Sequence, residues 1–513
     1  MTATEHPSIG WTFCIDRGGT FTDVVARSPA GLVSTLKLPS RSDAYADAAV
    51  EAMRRLLATP EPAPFPAERV AAIKVGTTVA TNALLERAGA KTLLVTTQGL
   101  GDGLRIGDQA RPRLFDLDIR KPAPLCEAVS EASERLGADG AVIRALDEAA
   151  LERDLAQALA DGFESVAIAF VHSDLNPAHE LAAARLAREA GFATVVLGHE
   201  VSPLPRFLAR VETAVVDAYL TPVLRAYADT LTRATNGANL FFMTSGGGLA
   251  RATSFRGMDA VLSGPAGGVV GVAGVARAAG AQAVLGFDMG GTSTDVCRYA
   301  GAFERRESAR VAGVNIRAPM LDVETVAAGG GSILTFDGLR ARVGPASAGA
   351  RPGPAAYGRG GPATLTDANL VLGRLDPKVF PAVFGPAGDA PLDVTAARAR
   401  LETLASAMGS PSADAAAAGF IDIAVEQMAG AIRRVSTERG FDPRGHALVA
   451  FGGAAGQVAC QVADSLGVDE VLCPRLGSLL SAWGVGETRL RSARQGGVEQ
   501  TLDEPGLATA RAP

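Results

Sequence analysis

Apolar runs on both sides of a glycine pair predict a β-hairpin at two distant places in the chain. The first segment, residues 16–24, reads DRGGTFTDV, and the second, residues 288–296, reads DMGGTSTDV, so seven of nine positions are identical. Each copy predicts a strand, a tight turn and a returning strand. No helical pattern follows either turn, which distinguishes both from the strand-to-helix turn of a Walker or Rossmann loop.

The residue types in these two hairpins suit a phosphate chain with a divalent cation. We expect the glycines to turn with positive φ and to let backbone amides approach a phosphate without an intervening Cβ atom. Each threonine adds a hydroxyl donor, and the aspartate before each turn can hold hydrated Mg²⁺. Two ordinary Asp-Gly hairpins are the alternative, but the close repetition favours two opposed phosphate-binding hairpins. The predicted phosphate-binding residues are Gly18, Gly19, Thr20, Gly290, Gly291 and Thr292, and the predicted catalytic and metal-binding carboxylates are Asp16 and Asp288.

Between the two hairpins, apolar strands alternate with amphipathic helices. Strands are predicted at 91–97, 165–171 and 193–197, and helices at 147–161 and 177–191. This alternation implies an α/β unit with a partly parallel sheet.

A chain of 513 residues is too long for one hydrophobic core, and its length suggests two to four domains. The repeated hairpin divides the chain into two halves. We place an N-terminal half at 1–205, a second half at 206–490 and a disordered tail at 491–513. A long helix over 208–233 opens the second half and is predicted to break near Pro222.

Composition excludes several classes of function. The net charge of −6 and the lack of a basic block argue against nucleic acid as the main partner. No apolar run reaches the ~18 residues of a membrane span, and the N-terminal residues lack the features of a secretion signal, so we expect a cytoplasmic protein. The cysteines are scattered and form no CxxC pair, which predicts neither a disulfide framework nor a zinc site: Cys14, Cys126, Cys297, Cys460 and Cys473.

Four further residues are candidates for substrate binding. Thr77, Thr78 and Asn82 stand at the start of a predicted helix, where backbone amides favour an anion. N-capping of that helix by Thr78 is the alternative role for its side chain. Arg111 lies in a glycine-rich loop and can bind a carboxylate bidentately, although many surface arginines are only solvated.

Two other glycine-rich segments could let a neighbouring helix or a ligand approach the backbone closely. A helix over 262–279 contains mostly small residues, so it can pack tightly on another helix or face a phosphate with its start. Later in the chain, Gly452 and Gly453 join a strand to a helix. We expect this segment to contact the nucleoside if the two hairpins hold its phosphates.

Two DxGGT hairpins and a late Gly-Gly segment resemble the superfold of actin, sugar kinases and heat-shock ATPases, in which ATP binds between duplicated halves. A larger set of motifs is spread from residue 13 to 486 and includes IDRGGTFTDVVAR, KVGTTVATNALLERAG, RIGDQARPRLFDLDI, LSGPAGGVVG, FDMGGTSTDV and FGGAAGQVAC. This set is similar to the hydantoinase A/oxoprolinase family and most of all to its 5-oxoprolinase branch. The resemblance implies an α/β fold of two duplicated actin/sugar-kinase-like (ribonuclease H-like) halves around an ATP cleft.

The same resemblance implies an ATP- and Mg²⁺-dependent hydrolase of a cyclic amide, 5-oxoproline or a hydantoin, in which the γ-phosphate goes to the amide oxygen. It also implies a hydantoinase B-type partner subunit, and a homo-oligomer is left open. One alternative is a subunit of an ATP-dependent carboxylase of acetone or acetophenone. Another is an actin- or heat-shock-like nucleotide switch. Two positions depart from the family pattern: Val458 replaces a usual histidine, and Ala356 a common cysteine.

Overall fold

The computed structural model describes residues 10–108, 114–491 and 495–497, and it shows a mixed α/β protein with three main sheets. Two of these sheets are built on the predicted hairpins, and the third lies between them in sequence. Arg111 and most of the predicted tail, 491–513, fall outside the described residues.

The first sheet has six strands with the first hairpin near its middle. The strands of this hairpin are antiparallel, with Asp16 opposite Asp23, and the strand Val70–Thr77 pairs in parallel with Trp11–Arg17. The strand order is Leu249–Arg251, Leu240–Met243, Val70–Thr77, Trp11–Arg17, Phe21–Arg27 and Val33–Pro39. The proposed division at residue 205 stays a prediction, and two strands of this sheet come after it in the chain.

The second sheet repeats the order and the directions of five of these strands. Its hairpin places Asp288 opposite Asp295, and the strand Ala447–Phe451 pairs in parallel with Val284–Met289. The strand order is Glu324–Val326, Thr294–Tyr299, Val284–Met289, Ala447–Phe451 and Val471–Leu472. The repeat confirms two duplicated halves of the ribonuclease H-like type.

The middle sheet is entirely parallel, which confirms the α/β unit predicted between the hairpins. Along the chain, its strands come between Val70–Thr77 and Leu240–Met243 of the first sheet. Their order is Thr194–Leu197, Ser165–Ala169, Thr92–Thr97 and Ala128–Ala132.

Helices cover the sheets, and paired short strands complete the fold. The longer helices are Ala48–Leu57, Glu148–Ala160, Ala178–Ala190, Phe207–Ala234, Ser263–Ala279, Val394–Met408 and Ala413–Val435. The shorter ones are Val79–Leu85, Gly103–Ile106, Gly198–Val201, Gly257–Ala260, Leu365–Val371, Ala459–Leu466 and Leu480–Glu487. The short strand pairs are Arg135–Leu136 with Val142–Arg144, Arg305–Arg306 with Met320–Leu321, Ala309–Val311 with Val314–Ile316, and Ser332–Phe336 with Ala341–Ser347.

The helix Phe207–Ala234 is continuous, so the predicted break near Pro222 is wrong. A proline removes one N–H donor and leaves the carbonyl four residues earlier without its helical partner. Here that carbonyl belongs to Ala218, and it accepts a hydrogen bond of 2.7 Å from the Ser165 hydroxyl of the middle sheet. A tertiary contact therefore satisfies the group that proline leaves unpaired.

One segment, Ala413–Arg439, is long and apolar enough to cross a membrane by length and composition alone. The prediction from apolar runs missed it because charged residues such as Asp422 interrupt the run. In the structure 56% of its apolar stretch is buried, and the side chains of Phe420 and Met428 belong to the hydrophobic core that packs on the second sheet. Burial of this kind is typical of a core helix.

Candidate functional site

Four aspartates from the two hairpins form one acidic cluster. Burial raises the pKa of Asp16 to about 7, with further contributions from Asp23 and Asp295. Burial also raises the pKa of Asp288 well above its usual value, and the charges of Asp295, Asp16 and Asp23 add to the shift. The helix Ser263–Ala279 connects the two hairpins in space. A Cβ atom on Gly264 would lie 3.6 Å from Asp16 Oδ1, and one on Gly268 would lie 3.1 Å from the ring of Phe451, whose strand partner is Asp288.

Asp23 and Asp295 are the members of this cluster that the sequence predictions missed. Each lies directly across the strand pair from the aspartate that precedes its turn. Asp23 accepts a 2.5 Å hydrogen bond from Lys37, and Asp295 accepts one of 2.6 Å from Thr325. The signal was present in the sequence, since the second aspartate of DxGGTxTD is identical in both copies.

The glycines of the two turns do not adopt positive φ, so that expectation is wrong. Each turn is closed instead by a 3.0 Å hydrogen bond, from Gly18 N–H to the Phe21 carbonyl and from Gly290 N–H to the Ser293 carbonyl. A Cβ atom on Gly18 would lie 3.0 Å from that Phe21 oxygen. Glycine is therefore favoured here by close approach of the backbone, not by a left-handed conformation.

Neighbouring segments hold the carbonyl groups of both turns. In the first hairpin, Ser40 donates its hydroxyl to the Gly18 carbonyl at 2.6 Å and its amide to the Thr20 carbonyl at 2.8 Å. In the second, the amides of Gly330 and Gly331 donate to the Gly290 and Gly291 carbonyls at 3.0 and 2.6 Å.

The amides at the tips of both turns remain available. Gly19, Thr20, Gly291 and Thr292 are exposed, and among the described residues no acceptor lies within hydrogen-bond distance of their N–H groups. Exposed amides of this kind can bind an anion such as a phosphate.

The threonines and the asparagine near the first turn have different environments. Thr77 is buried, and its hydroxyl accepts from the Val79 amide at 3.2 Å, so it serves the local structure. Thr78 donates to the Arg17 carbonyl at 3.3 Å and accepts from Asn82 Nδ2 at the same distance. Thr78 occupies the N-cap position of the helix Val79–Leu85, as the alternative predicted, but its side chain donates or accepts no capping hydrogen bond. Asn82 lies beside Gly19.

Gly452 lies against the second hairpin. Its φ is +85°, and a Cβ atom there would lie 2.2 Å from Asp288 Oδ1 and 2.6 Å from the Met289 carbonyl oxygen. A Cβ atom on Gly453 would meet nothing within 4 Å. Val458, which replaces the family histidine, is buried in the hydrophobic core that packs on the second sheet.

The carboxylate cluster fits a divalent cation. Asp16 Oδ1 is buried and has no hydrogen-bond partner among the described residues. Mg²⁺ usually takes one or two carboxylates and completes its shell with water and substrate phosphates. In the described ranges no three or more His, Cys, Asp or Glu side chains are arranged to hold a metal together, so the protein would supply only one or two carboxylates to the cation.

The small-residue helix Ser263–Ala279 packs closely on the helix Leu480–Glu487. A Cβ atom on Gly484 would lie 1.9 Å from the Gly267 carbonyl oxygen and 2.6 Å from the Gly271 amide nitrogen. The start of the longer helix faces the cluster, since a Cβ atom on Gly264 would lie 3.6 Å from Asp16 Oδ1. Both roles considered for this helix are therefore compatible with its position.

Comparison with known proteins assigns the chain to a family. The sequence profile described as Hydantoinase/oxoprolinase matches residues 210–494, and the profile described as its N-terminal region matches residues 12–191. This chain belongs to the hydantoinase/oxoprolinase family. The two profiles together include both hairpins.

Named relatives of this family member are cyclic amide hydrolases. It is 44% identical over 522 residues to 5-oxoprolinase 1 of Arabidopsis thaliana, an alignment that covers 92% of this chain and 41% of the relative. It is 37% identical to the caprolactamase subunit alpha of Pseudomonas jessenii, covering 92% of this chain and 69% of that subunit. The chain thus spans about two fifths of the length of the 5-oxoprolinase it matches.

Solved structures agree with this family assignment. The ATP-dependent caprolactamase of Pseudomonas jessenii superposes with a TM-score of 0.79 at 36% identity, covering 92% of this chain and 70% of that one. A nucleotide-free acetone carboxylase superposes with a TM-score of 0.75 at 22% identity, covering 93% of this chain and 70% of that one. At 22% identity, the similarity to the acetone carboxylase shows only that the two proteins share a fold.

Proposed function

We propose that this chain is the ATP-dependent activating component of a cyclic amide hydrolase, with 5-oxoproline as its substrate. The observation that supports this proposal most directly is the pair of DxGGTxTD hairpins. The charges of their four aspartates affect one another, and their exposed turn amides have no acceptor within the described residues. Identity of 44% to a 5-oxoprolinase supports the choice of substrate.

The chemistry explains why a cyclic amide needs ATP. An amide carbonyl is a poor electrophile, and transfer of the γ-phosphoryl group from ATP to the amide oxygen, with ADP as the leaving group, activates its carbon. Water then adds to that carbon, the ring C–N bond breaks, and phosphate and the ring-opened amino acid are released. Phosphoryl transfer depends mainly on positioning and charge stabilisation.

The residues of the two hairpins take complementary roles in this proposal. The amides of Gly19, Thr20, Gly291 and Thr292 bind phosphate oxygens, and Gly18 and Gly290 form the turns that present them. Asp16 and Asp288 hold Mg²⁺, which supplies charge neutralisation for the phosphates when bound. Gly452 and Gly453 continue this surface toward the nucleoside, and Thr78 and Asn82 border the first turn on the substrate side. Thr77 contributes only through the backbone that it supports.

A partner completes the reaction in this proposal. The caprolactamase relative is named as a subunit alpha, and the 5-oxoprolinase relative is more than twice as long as this chain. We therefore propose that a hydantoinase B-type subunit or domain acts on the activated amide.

The test is release of ADP by the purified chain, alone and with a co-expressed B-type subunit. 5-Oxoproline, hydantoin, caprolactam and acetophenone with bicarbonate are supplied separately, and ring opening is followed by chromatography. We expect stimulation by 5-oxoproline and ring opening only when the B-type subunit is present. Stimulation by acetophenone with bicarbonate alone would overturn the amide proposal in favour of a carboxylase. ADP release that is indifferent to every small molecule would instead favour a nucleotide switch.

A further inference from the structure

An irregular segment after the second hairpin, residues 347–364, forms a fixed loop that carries two arginines. The loop is held by Asp367, whose side chain is fully buried. This carboxylate accepts hydrogen bonds from the amides of Ala355 and Ala356 at 3.1 and 2.7 Å, and from the amide and hydroxyl of Thr364 at 2.7 and 2.8 Å. Hydrogen bonds to a carboxylate are strong, so these contacts fix the backbone of the loop.

A second loop packs against the first and is also fixed. Phe384 and Ala390 exchange two backbone hydrogen bonds of 2.9 Å, which close this second loop. The Gly385 amide donates to the Tyr357 carbonyl at 2.8 Å, and the ring centres of Tyr357 and Phe384 lie 4.6 Å apart. Backbone and aromatic contacts therefore hold the two loops together.

A surface cleft lies between these two loops. Its volume is about 330 Å³, which is at the small end of the range of small-molecule sites. The lining contains two arginines and no acidic residue. Asp389 follows the lining in sequence, but among the described residues it forms no ion pair with either arginine. The lining residues are Arg351, Pro352, Arg359, Pro386, Ala387 and Gly388.

Arg359 is held at the cleft by uncharged acceptors. Its Nε atom donates to the Gly385 carbonyl at 2.8 Å, and its Nη1 and Nη2 atoms lie 3.5 Å from the carbonyl oxygens of Ala350 and Val383. Because no carboxylate takes part in these contacts, the positive charge of the guanidinium is not neutralised. The guanidinium also has more N–H groups than these contacts use, so donors remain available to a ligand.

Arg351 presents its whole guanidinium to the cleft. Its side chain is exposed and forms no hydrogen bond or ion pair with any other described residue. Nearby in the chain, Arg342 is also exposed, but it pairs with Asp337 at 2.7 Å. Arg351 thus differs from a surface arginine whose charge a neighbouring carboxylate balances. Together with Arg359 it makes the cleft electropositive, and a concave positive surface attracts anions.

We propose that this cleft binds a phosphate group, carried by inorganic phosphate or by a small phosphate ester, between Arg351 and Arg359. Guanidinium groups match the oxygens of phosphate and donate to them in pairs. Two cations without a neighbouring carboxylate favour a doubly charged anion over a singly charged one, because each cation adds to the attraction. Besides the arginines the lining has only prolines, an alanine and a glycine, so the anionic group makes the principal contacts.

Calorimetric titration of the whole chain, without nucleotide or Mg²⁺, tests this site independently of the proposed ATP chemistry. The probes are inorganic phosphate, glycerol 3-phosphate, succinate and acetate, at a pH where phosphate is doubly charged. We expect inorganic phosphate or its ester to bind at least about 10-fold more tightly than succinate and acetate. Tighter binding of the ester supports a phosphorylated metabolite as the source, and tighter binding of inorganic phosphate supports the free ion.

Substitutions then locate the bound phosphate. Arg351→Gln removes a side chain that the fold does not use, so the variant should fold normally and bind about 10-fold more weakly or worse. Arg351→Glu reverses the charge and should abolish binding. Arg342→Gln is the matched control, because it removes an exposed arginine outside the cleft, and affinity should not change. Gly291→Ala alters the proposed nucleotide site, so binding at the cleft should persist in that variant.

Three results would overturn the proposal. Absence of binding by both phosphate and its ester is the first. Binding that Arg351→Glu leaves unchanged, or that Gly291→Ala removes, is the second, because the phosphate would then lie at another site. The third is succinate or acetate binding as tightly as phosphate, which would indicate a carboxylate site.

Discussion

Asp288 on the second hairpin has a pKa raised first by burial and then by neighbouring charges, among them that of Asp16 on the first hairpin. The two residues occupy the same position in the two copies of DxGGTxTD. The duplicated sheets therefore place equivalent carboxylates within electrostatic reach of each other. A cation bound between these two carboxylates would reduce the electrostatic repulsion between them.

This relationship predicts opposite effects of substitution on activity and stability. Asp16→Asn and Asp288→Asn should each lower Mg-ATP turnover by about 100-fold or more, because the cation loses a charged ligand. Each should also raise the melting temperature of the metal-free protein, since a neutral amide does not repel the remaining carboxylates. ADP release and thermal unfolding measure the two effects.

Asp414→Asn is the matched control for these variants. Asp414 is exposed and pairs only with Arg398 at 2.8 Å in the described structure. An exposed pair contributes about 0–1 kcal/mol, so both readouts should be nearly unchanged. Full turnover in Asp16→Asn or Asp288→Asn would refute the metal-ligand assignment.

The raised pKa of Asp16 predicts how stability depends on pH without metal. Its folded value is about 7 and its ordinary value is 3.8, so between these values the folded chain binds more protons than the unfolded chain. Stability should therefore fall as the pH rises through this window. Urea unfolding at pH 5 and pH 7.5 measures the fall, and Mg²⁺ should stabilise the protein more at the higher pH.

Asp16→Asn supplies the comparison for the pH prediction. The variant lacks the titrating group, so its stability should change less over the same window. An identical fall in the variant and in the native protein would mean that other groups cause the dependence.

The exposed turn glycines predict a defect in nucleotide binding without a defect in folding. A Cβ atom on Gly291 would meet nothing within 4 Å, so Gly291→Ala should fold normally. The added methyl group would nevertheless stand where a phosphate approaches the turn amides. We expect the Kd for Mg-ATP to rise about 10-fold, measured by the ligand-induced shift of the melting temperature.

Gly430→Ala is the control for this substitution. Gly430 lies inside the helix Ala413–Val435, and a Cβ atom there also has no neighbour within 4 Å. Alanine should stabilise that helix by about 0.5–1 kcal/mol and leave the Kd for Mg-ATP unchanged. Equal nucleotide affinity in Gly291→Ala and the native chain would argue against the phosphate-binding role of the turn.

The continuous helix at Pro222 predicts a coupled pair of substitutions. Ser165→Ala should destabilise the fold by about 1–2 kcal/mol, because the buried Ala218 carbonyl loses the hydroxyl that replaces the missing proline N–H. Pro222→Ala in the same chain restores a backbone N–H for that carbonyl and should recover part of the loss. A double-mutant cycle by urea unfolding measures the coupling, and strictly additive effects would contradict it.

Much of the fold could be predicted from local patterns. The apolar runs around DRGGTFTDV and DMGGTSTDV predicted both hairpins, and their repetition predicted two related halves. The alternation of strands and helices after residue 90 predicted the parallel middle sheet. These features depend on periodicity and turn residues that are adjacent in sequence, so the sequence is sufficient to identify them.

The details of the site depended on contacts between distant residues. Asp23 and Asp295 join the cluster only because strand register places them opposite Asp16 and Asp288. Thr77 and Thr78 are adjacent, yet one is buried and the other borders the first turn. Local propensity does not distinguish such neighbours, since burial is decided by what packs against them.

Local sequence patterns were enough to identify the two hairpins, their duplication and the family to which the chain belongs. The grouping of the hairpin aspartates and the continuity of the helix at Pro222 depend on tertiary contacts. The difference lies in the range of the interactions. Hydrophobic periodicity and turn chemistry act over a few residues, whereas the charges, hydrogen bonds and packing that define these sites join residues that are far apart in the chain.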